Sequence, residues 1–297
     1  MNKNKSLKAV SYGEVLWDVF PDDKKIGGAP LNVALRMKSL GCDAAMISCV
    51  GNDKDGDNIL DYVKKQGLDT NGIAINNDYP TGTVLVHLDE NRTASYDISY
   101  PSAWDKIESH NYTKNLVDQA DVIIYGSLVC RDQTSRNTLL QLLDNAAYKV
   151  FDVNLRKPHY TMQTLELLMQ KADFIKLNDE ELPEITEVLG FDSDSIEDSM
   201  MYIAEETNAE AVCVTRGKDG AILLWKGAFY SNPGYRVKVD DTVGAGDSFL
   251  ASLITKLLTA TLPQQAIDFA CAVGSLVASK PGANATVTEE EIRQIMA

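Results

Sequence analysis

The chain of 297 residues is long enough for one large domain or two small ones, and 44% hydrophobic residues suffices for a sizeable core. Its 28 Lys and Arg against 43 Asp and Glu give a formal net charge of -15, which repels nucleic acid and anionic lipid, so a phosphate-bearing ligand has to be held by local donors. Apolar runs such as residues 120–125 are strand-sized, far below the ~20 residues of a membrane span, and the positively charged N-terminus is followed by no apolar segment of signal-peptide length, so a cytoplasmic location is expected.

In chain order, short β-branched runs alternate with amphipathic stretches. Residues 9–13 pattern as the first strand. Gly27-Gly28-Ala29-Pro30-Leu31-Asn32 then opens a helix over 31–40, with Pro30 suited to its first turn and Asn32 directing an amide back toward the loop. Paired glycines let a small polyol approach the backbone, although a plain turn before a helix uses the same residues. A strand over 44–50 and a helix over 57–66 follow. Gly51 to Asp57 has the glycine spacing of a Walker A loop, but Asp57 stands where lysine is required.

Residues 81–88 and 93–99 pattern as a β-hairpin joined by the polar turn Asp89-Glu90-Asn91-Arg92. A hairpin with no helix between its strands does not readily join a parallel sheet. It is therefore placed outside the core as a lid formed by about 16–26 and 80–100. Val84, Val86 and Leu88 on one face of it hint at a homodimer through the lid, and packing on the domain accounts for them equally.

After a strand at 122–125 and a helix over 135–147, the strand at 150–153 ends in Asp152-Val153-Asn154-Leu155-Arg156. The alternation projects Asp152, Asn154 and Arg156 to one side. A helix over 165–171 and a strand over 174–177 lead to Asn178-Asp179-Glu180-Glu181. Carboxylates at this helix start can hold a hydrated Mg2+, while Asn178 can equally be a cap. The strand 211–215 runs into Thr215-Arg216-Gly217-Lys218-Asp219-Gly220, a turn suited to phosphate oxygens or to a simple hairpin.

The strongest local pattern is Asp241-Thr242-Val243-Gly244-Ala245-Gly246-Asp247-Ser248-Phe249, followed by a helical run over 250–258. Glycines on both sides of Ala245 let consecutive N–H groups face one point, and the helix adds its positive end, giving an anion hole. Asp247, in the first turn, stands where it can take a proton from a hydroxyl attacking a bound phosphoryl group, with the low basicity of a helix N-terminus. A plain N-cap uses the same residue types.

The alternation predicts a parallel α/β sheet covered by helices on both faces, a single domain over 1–297, with ligands at the carboxyl ends of the strands. Cys42, Cys49, Cys130, Cys213 and Cys271 are odd in number and scattered, which reads as core packing rather than disulfides or zinc. His87, His110 and His159 have no metal-ligand spacing.

Together these motifs resemble the PfkB carbohydrate kinases over essentially the whole chain, from Gly13-Glu14 to Thr286, with residues 27–32 and 241–247 similar to the family's two signatures. The resemblance implies a ribokinase-like three-layer α/β/α sandwich with a mostly parallel sheet and a small β lid, using ATP and Mg2+ to phosphorylate a sugar. It implies that Asp247 is the catalytic base, that Gly244, Ala245 and Gly246 form the anion hole, and that Asn178 and Glu181 organise Mg2+ and phosphate, Glu181 through water. It places Thr215, Gly217 and Gly220 at the nucleotide, and Asp18, Gly28, Asn32, Arg156 and Asp247 at the sugar.

The Gly-Gly-Ala-Pro-x-Asn form, Pro101-Ser102-Ala103-Trp104, Tyr125-Gly126-Ser127-Leu128 and the Asp-x-Asn-x-Arg strand end look specifically like bacterial fructokinases, so fructose is the expected substrate. Kinases of 2-keto-3-deoxygluconate, ribose or nucleosides are the nearer rivals. A silent sugar-binding regulator is a rival of another class, opposed by the intact Asp247. Asp241, Val243, Val277, Lys280, Gly282 and Thr286 lie where ribokinase-like enzymes bind a monovalent cation through backbone oxygens, which makes potassium the implied ion.

Overall fold

The structure, a computed structural model, describes residues 6–88 and 94–297; the turn expected at 89–92 lies outside them. The first half of the chain forms β1 (Lys8–Tyr12), β2 (Leu16–Val19), β3 (Lys24–Gly27), α1 (Ala29–Ser39), β4 (Asp43–Gly51), α2 (Lys54–Lys65), β5 (Ile73–Asn76), β6 (Gly82–Leu88), β7 (Ala94–Ile98) and α3 (Asn111–Gln119). Next come β8 (Val122–Gly126), α4 (Gln133–Leu143), β9 (Lys149–Asp152), α5 (Met162–Gln170), β10 (Phe174–Asn178), α6 (Glu181–Val188) and α7 (Ile196–Thr207). The chain closes with β11 (Ala211–Thr215), β12 (Ala221–Trp225), β13 (Ala228–Asn232), α8 (Ala245–Leu258), α9 (Pro263–Ala278) and α10 (Glu289–Met296).

A nine-stranded sheet has the order β13-β12-β11-β10-β9-β8-β1-β4-β5. From β11 to β5 every neighbouring pair is parallel, whereas β12 and β13 add an antiparallel edge. The two-residue period of a strand sorts side chains between the faces. Along β8, Val122 and Ile124 pack with α1, α8 and α9, while Ile123 and Tyr125 pack on the other face with α4, α5 and α7. Each such Leu or Ile, fully buried, contributes about 2 kcal/mol. The result is the expected three-layer sandwich.

Several helices begin earlier than their apolar patterns suggest; in α2 and α4 caps rather than apolar residues set the start. Asp53 accepts the amide of Gly56 at 2.8 Å and starts α2 at Lys54, and Asp132 accepts that of Thr134 at 2.9 Å and starts α4 at Gln133.

The segments placed outside the core form a separate four-stranded sheet, β3-β2-β6-β7, in which β2 and β6 are parallel. Val84 and Val86 are each only 5% exposed within the single chain, so their stripe packs on its own domain and gives no reason for a dimer; Leu85 faces out at 43%. All five cysteines are buried and unpaired. Among the described residues no helix is long and apolar enough to cross a membrane.

Candidate active site

The carboxyl ends of the central strands meet the N-termini of α1 and α8. Asp247 sits in the first turn of α8, where its Oδ2 accepts from Asn32 Nδ2 at 2.8 Å; Asn32, buried in α1, accepts in turn from Asn284 Nδ2 at 2.8 Å. The loop leading into α8 depends on Gly244, whose φ is 75° and on which a Cβ would lie 2.5 Å from the Ala283 carbonyl oxygen. Gly246 is different. A Cβ there would clash with nothing, its nearest neighbour being the Lys176 ammonium at 3.7 Å. First-turn amides have no intrahelical acceptors and face outward from the helix. Of the expected anion-hole amides, that of Ala245 donates to Thr242 O at 3.2 Å and so belongs to the loop's own turn.

Lys176 on β10 is buried and pairs with Asp152 at 3.0 Å. Burial opposes its charge, but Asp152, Glu181 and Asp247 outweigh that and hold the ammonium protonated above its ordinary range. Asp247 itself is lifted to about 6, first by burial and then by Asp152, against the pull of Asn32, Lys176 and Arg156. Loss of water therefore outweighs the helix end, and the base is stronger than its position in a first turn suggests.

Two more carboxyls behave alike. Glu14 is 4% exposed with Oε2 unpartnered, and burial pushes it to about 7, opposed by its own backbone amide and by Arg156 and Arg131, while Asp247 pushes it up further. Asp18 on β2 rises to about 6 through burial, opposed by Arg156 and Lys25. Arg156 is exposed, donates to Leu155 O at 2.9 Å, and is the cation whose field reaches Glu14, Asp18 and Asp247 alike. A narrow cleft of about 10 Å³, room for about one water, lies here, lined by Ser11, Glu14, Ser127, Asp152 and Asn154. A larger groove of about 660 Å³ runs between α6 and α7, and none of these carboxyls lines it. Glu14 lines the narrow cleft and shares the field of Arg156 with Asp18 and Asp247, so the three shifted carboxyls mark this end of the sheet as the chemical centre.

The paired glycines have packing roles. A Cβ on Gly27 would lie 2.2 Å from Asp18 Oδ2, and one on Gly28 would lie 2.4 Å from Glu14 O, so both let Asp18 and the β1–β2 connection close onto α1. Gly220 also has a packing role, because a Cβ would lie 2.0 Å from Asn232 O. Residues 215–220 join the antiparallel β11 and β12 as a hairpin turn, with Thr215 Oγ1 donating to Leu177 O at 3.3 Å and Gly217 bordering open space.

Asn178 is a cap, its Oδ1 accepting from the amides of Glu180 at 2.9 Å and Glu181 at 2.7 Å. Glu181 accepts the amides of Leu155 at 2.8 Å and Asn178 at 2.9 Å, one on each oxygen. Among the described residues no group of three or more His, Cys, Asp and Glu can cage a metal.

The segment expected to bind a monovalent cation does not fit one. Lys280 Nζ donates to Thr286 O at 2.6 Å, Lys280 N donates to Val277 O at 3.0 Å, and Asp241 accepts the amides of Val243 at 3.0 Å and Gly282 at 3.2 Å.

Glu14, Lys176 and Asn284 were absent from the residues picked out by sequence. Lys176 carried a usable signal, since a charge between Ile175 and Leu177 in a buried strand requires a partner. Asn284 carried none, because its role depends on a residue 252 positions away.

A basic carboxylate beside first-turn amides and a buried ammonium, on a three-layer α/β sandwich, is the equipment of an enzyme that transfers a phosphoryl group to a hydroxyl. The chain belongs to the pfkB family of carbohydrate kinases, whose family profile matches residues 4–290, and is thus a sugar kinase, a phosphotransferase with an alcohol acceptor. It is 30% identical to the fructokinase of Solanum tuberosum, with 95% of this chain and 93% of that protein covered. The structure of an uncharacterised sugar kinase from Pyrococcus horikoshii superimposes with a TM-score of 0.83 at 27% identity, covering 97% of this chain and 99% of that one. A fructokinase double mutant from Vibrio cholerae O395, solved with fructose, ADP and potassium ion bound, superimposes with a TM-score of 0.85 at 25% identity, covering 99% and 100%.

Proposed function

We propose that the enzyme transfers the γ-phosphoryl group of ATP to fructose, giving fructose 6-phosphate. The observation that carries the phosphoryl-transfer site is Asp247, held by Asn32 and flanked by the Gly246 backbone and the Lys176 ammonium. Fructose is favoured by the full-length similarity to a fructokinase and by the polar groups Asp18, Asn32 and Arg156 gathered around Asp247.

The sugar hydroxyl lies between Asp247 and the γ-phosphorus. As its oxygen bonds to phosphorus, its proton passes to Asp247 and the bond to the bridging oxygen of ADP breaks. The transition state is loose, so positioning and fixed donors supply most of the acceleration. The first-turn amides of α8 and the Lys176 ammonium face the equatorial charge. Asp18, Asn32 and Arg156 orient the sugar, and the four-stranded sheet closes over it to exclude water. Mg2+, when bound, neutralises phosphate charge, with Asn178 and Glu181 orienting its water shell and Thr215 and Gly217 bordering the nucleotide.

ATP consumption by the purified protein with a panel of sugars tests the assignment. Fructose should exceed glucose and ribose in kcat/KM by at least about tenfold. Preference by that margin for ribose, a nucleoside or 2-keto-3-deoxygluconate refutes fructose as the substrate.

A further inference from the structure

The turn over residues 278–288 backs directly onto the phosphoryl loop. Ala283 is the surface against which Gly244 packs, Asp241 Oδ2 accepts from Gly282 N at 3.2 Å, and Asp240 N donates to Ala278 O at 2.9 Å. The same turn reaches the base, for Asn284 bonds Asn32 and Asn32 bonds Asp247. Arg36 adds a bond from NH2 to Ala285 O at 2.7 Å. Whatever fixes this turn therefore fixes both the loop amides and the orientation of Asp247.

Lys280 fixes it. Its Nζ donates to Thr286 O across the turn and pairs with Glu291 Oε1, both at 2.6 Å, while Glu291 also accepts the amide of Thr288 at 2.8 Å at the start of α10. Lys280, together with the amide and hydroxyl of Thr288, holds the Glu291 carboxyl at about 2. An ammonium offers three donors on a compact charge, and a carbonyl oxygen that accepts one of them is not free for a dehydrated potassium ion, which needs several such oxygens at once.

We infer that Lys280 takes the place of a monovalent cation: the side-chain ammonium is the charge that organises the turn behind the phosphoryl loop, and the enzyme works without potassium. Lys280 is a positioning residue, since it reaches the reacting atoms only through the turn. The inference concerns the loop and not the choice of sugar; its activity arm rests on the kinase assignment, and its melting arm does not.

The experiment compares wild type and Lys280→Met in potassium, sodium and tetramethylammonium chloride at equal ionic strength, by kcat, by KM and by thermal melting. Wild type should show the same kcat, within about twofold, and the same Tm in all three salts. In tetramethylammonium the variant should lose at least about tenfold in kcat with a smaller change in either KM, and potassium should restore much of that loss while raising its Tm as concentration increases. A saturable rise of wild-type kcat or Tm with potassium overturns the inference, and that salt series decides the matter even if the variant does not fold. A variant that matches wild type in every salt overturns it too, as does a loss of activity that potassium leaves unrescued.

Discussion

Replacing Glu14 with glutamine changes how stability depends on pH, and the size of the change follows from its burial. The carboxyl rises from an ordinary 4.5 to about 7 in the folded chain, where it is 4% exposed. At ~1.4 kcal/mol per pKa unit, the roughly 2.5-unit difference corresponds to about 3 kcal/mol. Below pH 4.5 both folded and unfolded chains hold the proton. Between pH 4.5 and 7 the folded chain keeps a proton that the unfolded chain releases, so stability falls as pH rises and the full loss is reached above 7. The amide of the Glu14→Gln variant cannot ionise and escapes this loss. Asp18 titrates in both proteins, and any fixed difference in hydrogen bonding is independent of pH, so both drop out of the comparison, while the repulsion between Glu14 and Asp247 is already contained in the Glu14 shift. Urea unfolding of the two proteins from pH 4.5 to 8 should show their free-energy gap moving by about 3 kcal/mol in favour of the variant, or about 6 °C in Tm. Parallel stability profiles would mean that Glu14 is not buried as a strained acid, and the electrostatic account of the cleft would fail with it.

Asp247→Asn should lower kcat at least ~100-fold with little change in either KM, while wild-type kcat/KM falls about tenfold per unit as pH drops below about 6 and Asp247 gains its proton, measured by steady-state kinetics. Gly244→Ala should cost both stability and turnover, because a left-handed backbone and the Ala283 carbonyl leave no place for a methyl group; melting should fall by several degrees for about 1–2 kcal/mol of strain. Gly246→Ala should instead melt like wild type and lose turnover, so equal rates there would make the loop a structural turn only. Arg156→Ala should raise the KM for sugar far more than that for ATP and move the acidic limb of the pH profile upward, since removing a nearby cation raises the pKa of Asp247; an unmoved limb would place Arg156 outside the site.

The parallel core was legible because buried parallel strands are continuous apolar runs, as in Val122-Ile123-Ile124-Tyr125 and Ala211-Val212-Cys213-Val214. The α8 loop was legible because its glycines and carboxylate are adjacent in sequence. Less visible was α9, apolar nearly all round, which gives no amphipathic stripe to detect. The basicity of Asp247 could not be read locally either. A first turn argues for an acid of ordinary or low pKa, and only the assembled site, with Asp152 from a distant strand beside it, reverses that. Gly28 and Gly220 carry a second requirement that was hidden in the sequence. Each has the residue type of a ligand-binding turn, and each also has backbone from another segment where a Cβ would stand, a constraint that no local pattern reveals.

The five buried thiols make the native protein silent toward maleimides and disulfide reagents. Loss of water raises the pKa of every one of them, with Cys49, Cys130 and Cys271 pushed to about 12, so little reactive thiolate exists even where a reagent could reach. Labelling then proceeds only through opening of the structure. Because Cys213 lies within β11 and Cys42 follows α1, mass spectrometry of the modified peptides would resolve which layer opens first. The same silence leaves a free channel for a dye. A single cysteine substituted for Leu85, exposed on the small sheet, would be the one fast-reacting thiol among the described residues and would carry a fluorophore to that sheet, where it would report any movement against the core.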